Sequence, residues 1–236
     1  MISILQSLTQ TWRNLWFREL GDGSLLINDV AVRIRAGLLL VIPLYMGYTL
    51  FDIVFGPHWI VTGNFIKDTY ELDIDDRILY HVEAVRRTYD YTVQSLVLLY
   101  ALFELLAGMF RFTSRLSPTI FIATLLARRQ KVVWKPLIPK RFAWTIGASL
   151  IITCLVFFNP DTFAVWVNTI TASELLPTTE NYMSRWIPVT LVWVCLGFMW
   201  METVLGFCVG CQLHAFLVWI GLIKHECEAC NNLSWD

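Results

Sequence analysis

Four long apolar runs, separated by polar segments, dominate the pattern of hydrophobic and polar residues along this chain. They cover residues 36–55, 91–110, 142–158 and 186–205. A helix needs about 20 mostly apolar residues to cross the hydrocarbon core of a bilayer. The pattern therefore predicts an all-α membrane protein with four transmembrane helices. Pro43 lies inside the first run and should kink that helix, because proline removes a backbone donor.

Two shorter apolar stretches are too short to span a membrane and are predicted to be interfacial helices. Residues 119–131 are apolar and then basic, so their cationic end is expected to face anionic headgroups. Residues 212–223 form the second stretch. Residues 60–91 are more polar and are expected to form a short helix or hairpin on the membrane surface.

The charges between the runs predict the orientation. The loop at 111–141 carries eight basic residues and no acidic one (Arg111, Arg115, Arg128, Arg129, Lys131, Lys135, Lys140 and Arg141). The loop at 56–90 is rich in acidic residues. Basic loops stay on the cytoplasmic side. We therefore expect both termini in the cytoplasm and a multi-pass location in a bacterial cytoplasmic (inner) membrane.

Composition agrees with a membrane domain. Hydrophobic residues make up 56% of the 236 and charged residues only 16%, whereas soluble domains carry about 25% charged residues. The first 30 residues show no signal-peptide pattern, and no basic tail suggests nucleic acid. The expected organisation is a cytoplasmic segment at 1–35, a membrane domain at 36–222 with an outer loop at 56–90 and a basic inner loop at 111–141, and a cysteine-containing cytoplasmic tail at 223–236.

The best candidate for chemistry is the Cys-x-x-Cys pair formed by Cys208 and Cys211 where the last span ends. Residues three apart share a helix face, which brings two thiols near disulfide distance after slight unwinding. Gly206 and Gly210 would supply that looseness. The alternative is that small residues here merely allow close helix packing. Cys154 and Cys195 lie singly in the third and fourth spans and are expected to pack as small hydrophobes.

A second pair, Cys227 and Cys230, completes a C-x2-C-x15-C-x2-C spacing that is typical of zinc sites. Zinc or iron is therefore a candidate cofactor, with His214 and His225 as weaker ligands. A straight helix between the pairs would hold them roughly 20 Å apart. A shared metal site would require the chain to fold back, for instance at Gly221.

Three acids lie at or near membrane depth, and Glu104 is the most central of them. A charge there is costly unless it faces protein or water. Glu104 therefore has either a proton or ion role or an interhelical hydrogen bond to Ser149, Thr153 or Tyr45. Asp52 and Glu202 lie close enough to helix ends to snorkel. His58 and His81 are expected to be surface residues.

The segments METVLGFCVGCQLHAFLVWIGL (201–222) and PKRFAWTIGASL (139–150) resemble an uncharacterised bacterial integral-membrane family, domain of unknown function family 4395. Weaker similarities occur at 27–37 and 115–129. The chain differs from the family pattern in a longer outer loop and in the tail with the second cysteine pair. The resemblance implies four membrane helices and, through frequent association of members with sulfur-transfer or thioredoxin-like proteins, thiol chemistry.

These observations favour a membrane protein that handles thiols or reduced sulfur through Cys208 and Cys211. Its expected partners are the lipid bilayer, other membrane subunits or a thioredoxin-like protein. One alternative is a non-catalytic subunit or scaffold that packs through its 11 tryptophans and its small-residue faces. Another is a small transporter whose path is lined by Glu104 and Pro43.

Overall fold

The computed structural model describes residues 16–19, 25–72 and 74–223; of residues 64–71 and 78–82 it describes the backbone. Four helical segments are long and apolar enough to cross a membrane: Asp29–Phe55, Thr92–Met109, Leu137–Phe157 and Trp186–Leu205. The prediction of four spans is confirmed. The helical domain has two ends: the hairpin end carries residues 59–86, and the basic end carries residues 111–141.

The first span is a chain of three helices: α1 (Asp29–Leu39), α2 (Val41–Thr49) and α3 (Phe51–Phe55). It begins seven residues earlier than the apolar run, because Asn28 caps α1 by accepting hydrogen bonds from the N–H groups of Val30 and Ala31. A side-chain oxygen at this position satisfies N–H groups that have no partner within the helix.

The other elements follow in chain order. The second span is α4 (Thr92–Met109), and α5 (Pro118–Ala127) follows it; α6 (Leu137–Phe157) is the third span and α7 (Pro160–Thr171) lies beyond it. The fourth span consists of α8 (Trp186–Trp200) and a π-helical turn, Met201–Leu205. The last helix described is α9 (Val209–Trp219).

The described residues also form two small sheets. The apolar pattern predicted one of them, as a possible hairpin, and did not predict the other. At the hairpin end, β3 (Trp59–Leu72) and β4 (Ile78–Arg86) pair antiparallel, with Trp59 opposite Arg86. This is the hairpin alternative of the two predicted for the outer loop. At the basic end, β1 (Phe17–Glu19), β2 (Leu25–Asn28) and β5 (Trp134–Pro136) form an antiparallel sheet in the order β1-β2-β5.

The helix α5 is more than an interfacial element. It starts at a Ser117 cap followed by proline, and it packs against α1. Its Ile120, Ala123 and Ala127 side chains are buried, while Leu125 and Leu126 are exposed. The predicted helix at 119–131 therefore exists, but one face of it belongs to the protein core.

Two hydrophobic clusters hold the fold together, one near each end. The basic-end cluster contains Trp16, Ile27, Ala31, Val32, Met109, Ile120, Ala127, Leu137 and Trp144. The hairpin-end cluster contains Met46, Leu50, Ile53, Tyr91, Leu98, Cys154 and Phe158. The first three spans contribute to both clusters, and the fourth packs against the hairpin-end cluster through Val189, Leu191 and Val192. The last helix, α9, packs on α6.

Candidate functional site

The thiol pair lies where the fourth span gives way to α9. The π-helical turn ends at Gly206, whose φ of 67° is left-handed, and the Phe207 N–H donates to the Met201 carbonyl. The left-handed conformation favours glycine because it has no Cβ. An added Cβ would also lie 2.1 Å from the Arg33 guanidinium carbon. Gly206 thus supplies the break in the helix that the sequence suggested.

Cys208 caps the helix that follows this break. Its backbone is extended, and its sulfur accepts a hydrogen bond from the Cys211 N–H at 3.4 Å. Cys208 is buried and Cys211 half-buried. The N-terminus of a helix carries a partial positive charge and unpaired N–H groups, and both favour an anion. This arrangement therefore favours a thiolate at Cys208.

The two thiols have different acidities. The hydrogen bond from the Cys211 thiol lowers the pKa of Cys208, and the nearby Lys140 ammonium lowers it further against the opposing effect of burial. The same hydrogen bond, together with burial, raises the pKa of Cys211. These directions favour the thiolate at Cys208 and the protonated thiol at Cys211.

Close packing of two helices brings Lys140 to the thiols. Gly210 lies between the two cysteines in sequence, and a Cβ added there would be 2.4 Å from the Ala143 Cβ on α6. Lys140 precedes Ala143 by three residues, so both lie on the same face of α6. Lys140 is 4% exposed. Gly210 thus fixes the distance between the charged face of α6 and the Cys-x-x-Cys turn.

Lys140 belongs to a network of charged side chains from four elements. Its ammonium bonds a carboxylate oxygen of Glu202 and lies 3.7 Å from Asp29 Oδ1. The other oxygen of Asp29 lies 3.0 Å from Lys135 Nζ and 3.0 Å from Arg33 Nε. Asp29 is buried as well. The expectation that Glu202 merely snorkels is wrong, because its carboxylate pairs with a buried lysine.

Glu104 forms a second buried ion pair, away from the thiols. Its Oε2 lies 3.0 Å from an Arg35 terminal nitrogen and accepts hydrogen bonds from the Ser117 and Thr119 hydroxyls. Both charged side chains are almost fully buried. Three elements, α1, α4 and the start of α5, are joined by this one carboxylate.

The predicted hydrogen-bond partners of Glu104 are wrong. The Ser149 and Thr153 hydroxyls donate to carbonyls of their own helix, and Tyr45 is exposed. The partners come instead from Arg35, which the charge pattern assigned to a cytoplasmic segment, and from the cap of α5. A serine followed by proline at 117–118 is a helix-start signal that the sequence does carry.

Two tryptophans complete the surroundings of Arg35. The Trp16 and Trp144 rings are stacked with centroids 6.5 Å apart, and the Arg35 guanidinium carbon lies 5.4 Å and 5.7 Å from those centroids. Cation–π contacts of this kind stabilise a desolvated guanidinium. Gly108 permits the approach, since a Cβ there would be 2.3 Å from an Arg35 nitrogen. The Arg35–Glu104 pair therefore holds α1, α4 and the start of α5 together at the basic end.

The remaining candidates are dispersed. Asp52 pairs with Arg87 at 2.8 Å, and His58 Nδ1 lies 3.4 Å from the Tyr89 hydroxyl, both at the hairpin end. The backbone of His81 is in β4 and its side chain is outside the described atoms. His214 is buried on α9 with its ring 5.3 Å from the Phe142 ring. Cys154 is buried in the third span and Cys195 is half-buried in the fourth.

The proposed four-cysteine metal site lies partly outside the described residues. Cys227, Cys230 and His225 all follow residue 223. Among the described residues no three His, Cys, Asp or Glu side chains are grouped as metal ligands. Gly221 has a left-handed φ of 79° just after α9 ends, so the helix does not continue straight toward the tail.

Four apolar spans with a buried polar layer at one end define a multi-pass membrane protein. Comparison with known families identifies it further. Residues 82–218 match the family described as domain of unknown function (DUF4395), and the chain belongs to that family. The match includes the whole Cys-x-x-Cys turn, Lys140 and Glu202. No curated protein and no solved structure matches the chain.

Proposed function

We propose that this chain carries out thiol–disulfide exchange, or handles reduced sulfur, at the membrane boundary, with Cys208 as nucleophile and Cys211 as resolving thiol. One observation supports this most: Cys208 caps α9 and accepts a hydrogen bond from the Cys211 N–H, and α9 packs closely on the face of α6 that carries the buried Lys140. Exchange needs an attacking thiolate and a second thiol that can displace the first partner.

The proposed reaction with a disulfide R–S–S–R′ has two steps. The Cys208 thiolate attacks one sulfur, forms a mixed disulfide with R and releases R′–S⁻. Cys211 then gives its proton to the released R′–S⁻ and attacks the Cys208 sulfur, which releases R–S⁻ and leaves the Cys208–Cys211 disulfide. The substrate disulfide has accepted two electrons and the dithiol has lost them. The reverse sequence oxidises a substrate dithiol.

The proposal also includes an orientation. The basic loop at 111–141 supports a cytoplasmic position for the thiol end, with both termini on that side of a bacterial inner membrane. Glutathione and thioredoxin systems keep cytosolic thiols reduced. The site is thus expected to rest as a dithiol and to form its disulfide transiently. A thioredoxin-like protein is a partner of suitable chemistry.

The test is a stoichiometric reaction with a chromogenic aromatic disulfide in detergent. All variants carry Cys227→Ser and Cys230→Ser, so the tail thiols do not contribute. The unmodified pair should release two aromatic thiols per chain and end as an internal disulfide. Cys211→Ser should release one and trap a mixed disulfide at Cys208, seen as added mass. Cys208→Ser should react slowly, because burial still raises the pKa of the remaining Cys211 thiol. Equal, slow reaction in all three proteins would refute thiol exchange.

The scaffold alternative is less well supported by the packing. It relied on small residues as a face for other subunits, yet Gly210 contacts Ala143 of its own chain and Gly206 contacts Arg33. The transporter alternative relied on Glu104 lining a path. Glu104 is buried and paired with Arg35, an arrangement that favours a structural role for both groups.

A further inference from the structure

Among the residues that the structure describes, the charges around the thiols do not balance: three cations, Arg33, Lys135 and Lys140, meet two carboxylates, Asp29 and Glu202. The most buried of the three cations is Lys140, and the contact of Gly210 with Ala143 holds the Cys-x-x-Cys turn against the face of α6 that carries it. Lys140 has Glu202 and Asp29 as partners, and its ammonium is shielded from water, so a further negative charge close to it would be stabilised. A thiolate at Cys208 would bring the charges of this network into balance.

Resting on the proposed function, we propose that Lys140 is the positioning residue of the thiol site: it holds Cys208 as the resting thiolate, while Glu202 competes for the same ammonium. The thiolate is then a member of the buried charge network as well as the nucleophile. Lys140 acts through Cys208 and takes no part in the exchange of sulfur atoms.

The geometry brings these groups together from every element packed on the turn. Asp29 and Arg33 come from α1, Lys135 from β5, Lys140 from α6, Glu202 from the π-helical turn, and Cys211 and His214 from α9. The contact of Gly210 with Ala143 keeps α9 against the Lys140 face of α6. The direction of the Cys208 pKa agrees, since Lys140 lowers it and Glu202 raises it.

Two variants distinguish the electrostatic role of Lys140 from a purely structural one, because they should shift the pKa of Cys208 in opposite directions. Lys140→Gln and Glu202→Gln remove opposite members of the same ion pair, so a structural role predicts similar damage from both. An electrostatic role predicts that Lys140→Gln raises the pKa of Cys208 and that Glu202→Gln lowers it. Lys140→Arg keeps the positive charge and should remain close to the unmodified protein.

The experiment measures the rate of Cys208 alkylation by iodoacetamide against pH, followed by mass spectrometry of the peptide. The Cys227→Ser, Cys230→Ser background is kept throughout. Each unit by which the midpoint rises slows alkylation about tenfold at a pH below it, because the thiolate fraction falls in that proportion. We expect the midpoint to rise in Lys140→Gln, fall in Glu202→Gln and stay nearly constant in Lys140→Arg. Midpoints that move in the same direction, or not at all, overturn the inference.

The reduction potential of the Cys208–Cys211 pair provides a second readout, in which the Lys140 and Glu202 variants should again shift in opposite directions. Oxidation of the pair to a disulfide removes the thiolate that Lys140 stabilises in the reduced protein. Loss of Lys140 should therefore make the pair more reducing, and loss of Glu202 should make it more oxidising, in equilibrium with glutathione buffers. Identical potentials in the two variants would contradict the inference.

A third pair of variants serves if the Gln proteins do not fold. Asp and Asn are equally good helix caps and nearly isosteric, so Cys208→Asp and Cys208→Asn differ chiefly in charge. The Asp protein should have the higher Tm at neutral pH, and an Asn protein of equal or higher Tm would overturn the inference. The proposed function fails by a separate result: an unmodified protein that forms no Cys208–Cys211 disulfide with the aromatic disulfide, whatever its alkylation midpoint.

Discussion

Gly210 of α9 lies directly on Ala143 of α6. A Cβ at position 210 would be 2.4 Å from the Ala143 Cβ and 2.8 Å from its Cα. The obstacle is therefore partly backbone and cannot rotate away. This contact sets how close the Cys-x-x-Cys turn comes to Lys140. A change at position 210 should therefore affect both the stability of the fold and the reactivity of the thiols.

Gly210→Ala should destabilise the protein by about 1–3 kcal/mol, the usual effect of overpacking a close contact. Gly197→Ala is the matched control, because it lies inside α8 and a Cβ there meets nothing within 4 Å. Alanine in a helix interior should stabilise it by about 0.5–1 kcal/mol. The measurement is detergent unfolding followed by circular dichroism. Ala143→Gly should partly rescue Gly210→Ala, and failure of that rescue would contradict the contact.

Gly206→Ala should destabilise more than Gly221→Ala. Both positions have a left-handed φ, which costs about 1–2 kcal/mol in a residue with a Cβ. Only Gly206 also faces the Arg33 guanidinium, whereas Gly221 has open space. Thermal unfolding of the two variants measures the difference. Equal effects would show that Arg33 moves aside without cost.

Arg35→Met should cost about 3–5 kcal/mol, because it leaves the Glu104 carboxylate buried without a cation. The double variant Arg35→Met, Glu104→Leu should be less damaged than the two single changes together. Arg111→Ala is the control: its 2.8 Å pair with Glu19 is half-exposed, and such pairs contribute about 0–1 kcal/mol. Unfolding by denaturant compares the three. An Arg35 variant as stable as the Arg111 variant would show that the Arg35–Glu104 pair does not hold the basic end together.

Cys211→Ala should make Cys208 less reactive at neutral pH. The thiol of Cys211 donates the hydrogen bond that contributes most to the lowered pKa of Cys208. Without that donor the pKa rises and the thiolate fraction at a fixed pH falls. The alkylation rate between pH 5 and 9 reports the shift. A midpoint that moves downward or not at all would contradict the assigned roles.

The orientation can be tested with single labelling sites in a protein whose own six cysteines are replaced by serine. Thr62→Cys lies in the hairpin and Arg129→Cys lies just beyond α5. A membrane-impermeant maleimide on intact bacterial spheroplasts should label the first and spare the second, and permeabilised cells should show both. Labelling of position 129 before permeabilisation would reverse the proposed topology.

Much of the membrane fold follows from the apolar pattern, because length and hydrophobicity alone predict a span. The second and fourth spans begin and end within one residue of the predicted 91–110 and 186–205. The first span was predicted too short, since Arg33 and Arg35 read as loop charges. Each is accommodated in α1 by a carboxylate, Asp29 or Glu104, and the Glu104 contact comes from a distant part of the chain.

The site was predictable in part. The spacing of Cys208 and Cys211 and their flanking glycines identified the turn. Lys140 was counted as one more charge of a basic loop, and its burial depends on tertiary contacts with Asp29 and Glu202. The three-stranded sheet was missed because β1 and β5 contain three residues each, too few for an alternating pattern.

The pairing of Arg35 with Glu104 bears on how the molecule can be divided. The stretch that matches the family, 82–218, contains Glu104, Ser117 and Thr119, but Arg35 lies outside it. Asp29, which holds Lys140, lies outside it too. A fragment that contains only residues 82–218 would retain both thiols. It would lose Arg35 and Asp29, the charged partners of the buried Glu104 and Lys140. Expression of the site as an autonomous unit must therefore begin before Asn28, where the cap of α1 is formed.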